Sequence, residues 1–180
     1  EAIDLKNGNI ERTAGLARVD LYFPKKANGQ MIIVCPGGGY RCTSTWNEGV
    51  YVAEWMLERG ITVAVVKYRM PNGHYRIPLT DVQNAFRYCR SKAQEWGVDQ
   101  IGVMGFSAGG HLASTVATHT TGAERPAFQI LFYPVITMDA SYTHAGSRQN
   151  LLGSNTAPSL IKKYSNEKQV KADNPMAYIC

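Results

Sequence analysis

Gly105-Phe106-Ser107-Ala108-Gly109 sets a hydroxyl between two glycines directly after the short apolar run at residues 100–106 (QIGVMGF). A serine can attack an acyl carbon when it stands on a sharp, strained turn between a strand and a helix, with small neighbours because the backbone passes close to other atoms. Residues 108–117 (AGGHLASTVA) are rich in small residues and compatible with a helix. Strand, turn and helix therefore follow in the required order.

A second motif supplies what such a nucleophile needs. Residues 31–36 (MIIVCP) read as a buried strand and run into Gly37-Gly38-Gly39-Tyr40. Glycines after a strand leave backbone N–H groups uncovered and free to take unusual dihedrals, as stabilisation of a tetrahedral oxyanion demands. The expected donors are the amides of Gly38, Gly39 and Ala108, the last being one residue past the nucleophile. The alternative for the glycine stretch is a flexible loop.

Together, Pro-Gly-Gly-Gly-Tyr and Gly-Phe-Ser-Ala-Gly-Gly-His-Leu-Ala resemble the α/β-hydrolase superfamily, and within it the small acetylxylan esterase-like and lipase/esterase group. The match runs from about Ala17 to the C-terminus, departing from the H-G-G-G form in having Cys35-Pro36 where a histidine often stands. The resemblance implies a three-layer α/β/α sandwich with a mainly parallel sheet. It also implies a serine carboxylesterase that removes short acyl groups, acetyl above all, from carbohydrate.

In that superfamily the order is serine, then acid, then histidine, the last two on loops after later strands. Residues 176–180 (MAYIC) look like the strand that would precede the acid, so the 180 residues are expected to form one domain corresponding to the N-terminal two-thirds of the usual fold. Neither usual partner of Ser107 is then expected in the chain, which would hydrolyse little by itself. An internal alternative exists: Asp139 and His144 follow Ser107 in the correct order, although five residues of one polar loop would have to supply both orienter and base. His111 is expected to serve packing or structural hydrogen bonding, and His119 to be a solvated helix-terminal residue.

Tyr40, Arg41 and Trp46 follow the glycine stretch and are candidates to line a substrate pocket, an aromatic ring being suited to the apolar face of a sugar. Trp46 could equally pack at the start of its helix. Two further functions stay open on the same residues: an inactive fragment acting as a binding or structural module, and a peptidase or amidase.

The surrounding elements fit one α/β domain. Residues 18–23 (RVDLYF) and 61–68 (ITVAVVKY) read as strands, and residues 48–59 as a helix closed by Gly60. Pro78 opens a long helix on which Val82, Ala85, Phe86, Cys89, Ala93 and Trp96 share one face. Residues 128–133 (FQILFY) form a further strand and residues 151–164 a looser, partly helical stretch. Such alternation predicts helices on both faces of the sheet.

Composition narrows the partners. With 44% hydrophobic residues the chain can bury a substantial core, and no apolar run approaches the ~20 residues of a membrane helix. The net charge of +5 is scattered, as at Lys25-Lys26 and Lys162-Lys163, which argues against a nucleic-acid partner. Cys35, Cys42, Cys89 and Cys180 lack C-x-x-C spacing and paired histidines, so they read as free thiols and no metal or cofactor is expected. The expected partner is a small-molecule or oligosaccharide ester, and an exposed sheet edge at residue 176 would invite self-association. The first residue is not methionine, and compartment is left open between cytoplasm and export with a removed leader.

Overall fold

The computed structural model describes residues 10–11, 15–154 and 157–180. The strands are β1 (Ile10–Glu11), β2 (Arg18–Tyr22), β3 (Gln30–Cys35), β4 (Thr43–Ser44), β5 (Thr62–Lys67), β6 (Gln100–Phe106), β7 (Phe128–Phe132) and β8 (Met176–Ile179). The helices are α1 (Tyr51–Leu57), α2 (Arg76–Trp96), α3 (Ala108–His119), α4 (Ala145–Leu152) and α5 (Pro158–Tyr164). A six-stranded sheet runs in the order β2-β5-β3-β6-β7-β8, parallel throughout except for the antiparallel edge strand β2. β1 and β4 pair separately.

The continuous apolar runs have a direct cause. In β3, Met31, Ile33 and Cys35 face the core that holds α2 and α3, while Ile32 and Val34 face the layer under α1. A strand covered on both faces cannot alternate polar and apolar residues. The stripe on α2 is buried through Val82, Ala85, Phe86 and Cys89, and the helix ends at Gly97 in the left-handed region (φ 63°), relieving the cost a Cβ would meet there.

Helices do lie on both faces, but unequally. α2, α3, α4 and α5 contribute to the larger core, whereas α1 and the π-helical turn Trp46–Val50 before it stand against the other face. The stretch expected at 151–164 is two helices, the first beginning six residues earlier at Ala145; residues 155–156 lie outside the described residues. β8 pairs with β7 along one edge, and its side chains are exposed.

The elbow itself is built by contact between backbones. A side chain at Gly105 would strike the carbonyl of Gly109 and the methyl of Ala113, and one at Gly109 would strike the carbonyl oxygens of Cys35 and Pro36. α3 thus lies directly on β6 and β3, and this separation holds Ser107 at the end of the central strand.

Candidate active site

Ser107 has φ 52° and ψ −118°, a conformation that costs a non-glycine residue of order 1–3 kcal/mol and persists only where its surroundings enforce it. They do so through its backbone. Its N–H donates to the Phe132 carbonyl (3.0 Å), and its own carbonyl accepts from the N–H groups of His111 (3.1 Å) and Val135 (3.0 Å). Among the described residues, none hydrogen-bonds its hydroxyl. The side chain borders an open cleft of about 620 Å³ whose other walls are residues 133–137 and 142–144 and Glu167.

Beside the serine, Gly38, Gly39 and Tyr40 have φ of 135°, 64° and 58°, forming a left-handed arch. Its carbonyls and anchors are turned into the protein. Tyr68 donates its hydroxyl to the Pro36 carbonyl (2.6 Å), Ser44 N–H donates to the Gly37 carbonyl (2.8 Å), and Asn150 Nδ2 donates to the Gly39 carbonyl (2.8 Å). Gly37 N–H donates to Glu48 Oε2 (2.7 Å). The N–H groups of Gly38, Gly39 and Ala108 have no acceptor among the described residues. The arch and the nucleophile are packed together at its base, where a Cβ on Gly37 would lie 3.1 Å from Ser107 Cβ.

The histidines divide by their partners. His111 is fully buried, with Nε2 2.7 Å from the Tyr164 carbonyl and Nδ1 2.9 Å from the Tyr40 hydroxyl. A carbonyl can only accept, so Nε2 carries the proton and Nδ1 accepts from Tyr40. Burial pushes the imidazole down to about 4, despite the bond to the Tyr164 carbonyl. His111 thus clamps the arch through Tyr40, in agreement with a structural role.

His119 departs from the expectation of a solvated residue. It is half-buried, bonded through Nε2 to the Lys163 carbonyl (2.8 Å) and stacked on Tyr164 with ring centroids 5.7 Å apart. The reason is tertiary: α5 ends against α3 at this point.

The aromatic pocket drawn from residue type needs correction, and the alternative of an internal triad is not assembled either. His144 does border the cleft with Ser107, but it caps α4: its Nδ1 accepts from Ser147 N–H (3.2 Å). Asp139 instead accepts from Ser141 N–H (3.0 Å) in a tight turn, and that bond holds its carboxyl below the usual range. A triad would need His144 Nδ1 to donate to the acid; here that nitrogen is an acceptor. Tyr40 does not line the pocket, being 1% exposed with its ring against Tyr68 and His111. Arg41 is at the surface and Trp46 stands 47% exposed at the start of the π-helical turn; neither is among the cleft walls.

The BD-FAE sequence profile matches residues 19–180. The chain belongs to the BD-FAE family. It is 41% identical over 162 residues to an acetylxylan esterase of Xylanibacter ruminicola, an alignment covering 88% of this chain and 34% of that protein. It is 35% identical over 165 residues to the endo-1,4-beta-xylanase B of Butyrivibrio fibrisolvens, covering 82% and 26%. The crystal structure of an acetyl ester-xyloside bifunctional hydrolase from Caldicellulosiruptor lactoaceticus superimposes with a TM-score of 0.83 at 34% identity, covering 93% of this chain and 66% of that one. The BD-FAE chain thus spans about a third or less of the curated relatives it matches. The α/β-hydrolase fold expected from the sequence is the fold observed.

In this BD-FAE chain, residues outside the two motifs also shape the site. Glu48, Tyr68 and Asn150 hold the arch, and residues 133–137 form much of the cleft wall. In the sequence Pro134 marks the end of the strand at residues 128–133 and no site.

The buried imidazole makes stability depend on pH. The unfolded chain protonates His111 near the ordinary 6.5, whereas the native state refuses the proton until about 4. Stability is therefore complete above pH ~6.5 and falls by about 3 kcal/mol as pH drops to about 4, where the loss levels off. His119, also lowered by burial, acts in the same direction. Urea unfolding at pH 7 and pH 4.5 should show the fall, and His111→Gln, less stable at pH 7, should show a shallower one. An equal pH slope in both would remove His111 as its source.

Proposed function

We propose that the protein is a serine carboxylesterase that removes short acyl groups, acetyl in particular, from carbohydrate. The observation that carries this reading is the strained Ser107 packed against an arch whose Gly38 and Gly39 amides, with that of Ala108, lack acceptors among the described residues. Ser107 Oγ attacks the ester carbonyl, the amides receive the developing oxyanion, and an acyl-enzyme forms as the alcohol departs. Water then releases the acid. Each amide donor contributes about 3 kcal/mol to such a transition state.

None of the described histidines is assigned as the base. In support, both ring nitrogens of His111 are occupied within the core, and Nδ1 of His144 accepts from backbone. The acetyl and xylan preference rests on the acetylxylan esterase and the acetyl ester-xyloside hydrolase that the chain resembles.

The test is covalent. A fluorophosphonate probe should label the full-length protein on Ser107, and acetylated xylo-oligosaccharide should be deacetylated faster than a p-nitroanilide is cleaved. Labelling of any other residue would refute the nucleophile; preference for the anilide would make the protein an amidase.

A further inference from the structure

Glu48 holds two segments that meet at Ser107. Its Oε2 accepts from Gly37 N–H at 2.7 Å and its Oε1 from the Tyr133 hydroxyl at 3.1 Å. The first segment starts the arch; the second is the first wall of the cleft after β7. We propose that Glu48 is a positioning residue for the oxyanion site, one carboxylate fixing both the base of the arch and the tyrosine that borders the nucleophile. The inference rests on the esterase reading above.

Three observations carry it. First, the point where a Gly37 side chain would begin lies 2.8 Å from Glu48 Oε2, 3.1 Å from Ser107 Cβ and 2.7 Å from the Phe106 carbonyl oxygen. Carboxylate, glycine and nucleophile therefore form one packed group, and a shift of the carboxylate moves the peptide beside Ser107. Second, Gly37 is held on both sides: Glu48 holds its N–H, in the peptide with Pro36, and Ser44 N–H holds its carbonyl, in the peptide with Gly38. Bonds to an ionised acceptor are about twice as strong as neutral ones, which suits an anchor under a strained arch. Third, Glu48 rides on the π-helical turn Trp46–Val50, a widened geometry often found at functional sites.

Tyr133 shows why both oxygens are needed. It has φ 36°, unfavourable for a tyrosine, and its ring is 60% exposed at the cleft. Partial burial and the neighbouring carboxylate push its phenol up to about 12, so it stays a donor at any working pH. Without Glu48 nothing described holds that hydroxyl. No hydrogen bond joins Glu48 to the Ser107 hydroxyl; both oxygens accept instead from Gly37 and Tyr133.

The experiment uses the full-length protein and p-nitrophenyl acetate. Glu48→Ala should lower kcat/KM by about 100-fold, the scale of one lost oxyanion donor, almost entirely through kcat. Affinity for a trifluoromethyl ketone, whose adduct carries the oxyanion, should fall by a similar factor while KM moves less than about threefold. Glu48→Gln, whose amide oxygen can still accept from Gly37, should recover to within about tenfold of the parent, and Tyr133→Phe should add nothing in the Glu48→Ala background. If Glu48→Ala does not fold, Tyr133→Phe decides: reduced kcat and ketone affinity support the proposal, and parental values overturn it. Parental kcat and ketone affinity in a folded Glu48→Ala, or a loss confined to KM, overturn it as well. Ser107→Ala keeps the two readings apart, because an active Ser107→Ala sinks the esterase reading whereas an inactive one beside an unimpaired Glu48→Ala sinks only this inference.

Discussion

Ser107→Ala in the full-length protein should lower turnover of p-nitrophenyl acetate by about a millionfold, the scale of removing the nucleophile from a serine hydrolase. The hydroxyl forms the covalent intermediate, and no neighbouring group is placed to substitute for it: the cleft beside Ser107 presents Tyr133, Thr143 and His144, none of them hydrogen-bonded to it. Folding should be nearly untouched. Alanine keeps the Cβ, so the strain at φ 52° stays in the native state, and none of the described residues bonds the deleted oxygen. Ser107→Gly offers the complementary reading. Glycine adopts this conformation without a Cβ penalty, so that variant should be equally inactive yet more stable by about 1 kcal/mol. Turnover and thermal midpoint measured on parent, alanine and glycine variants check both parts, and residual activity above a thousandth of the parent would unseat Ser107.

What is legible in the sequence is whatever depends on neighbours along the chain. The run QIGVMGF is apolar because both faces of β6 are covered, and the glycines around Ser107 are small because α3 lies on bare backbone. Both causes are local, so both leave local signatures. The Asp139 and His144 pairing is feasible on order alone, but order says nothing of which imidazole nitrogen faces a donor. Ser147 N–H settles that question, through the cap that starts α4. His is not among the usual capping residues, which is also why the sequence pattern places the start of α4 too late.

Long-range contacts leave no such trace. Asn150 reaches Gly39 across 111 positions, and Tyr133 reaches Glu48 across 85. An asparagine on a helix or a glutamate after a tryptophan reads as an ordinary solvated residue until the fold brings its partner to it. Tyr40 shows the converse error. An aromatic beside a glycine arch suggests a substrate platform, yet its hydroxyl is spent on His111 and its ring on the core.

Gly109→Ala is expected to be among the most damaging single substitutions for folding, at about 4 kcal/mol or more. The added methyl would collide with the carbonyl oxygens of Cys35 and Pro36, which are backbone atoms and cannot swing aside as a side chain would. The Pro36 carbonyl is already held by the Tyr68 hydroxyl, and Cys35 is registered against Gly105 in the sheet. Relief requires α3 to lift from the strands, which opens the packing of Leu112, Ala113 and Val116 and carries Ser107 away from the arch. Gly122→Ala is the matched control, since no atom lies within 4 Å of its added methyl and only its φ of 65° opposes the change. That variant should lose about 1 kcal/mol, the left-handed penalty alone. Soluble yield and urea midpoints of the pair separate collision from backbone strain: comparable stability in the two would mean that the helix does not rest on bare backbone, and the reason for a glycine two residues after the nucleophile would have to be sought elsewhere.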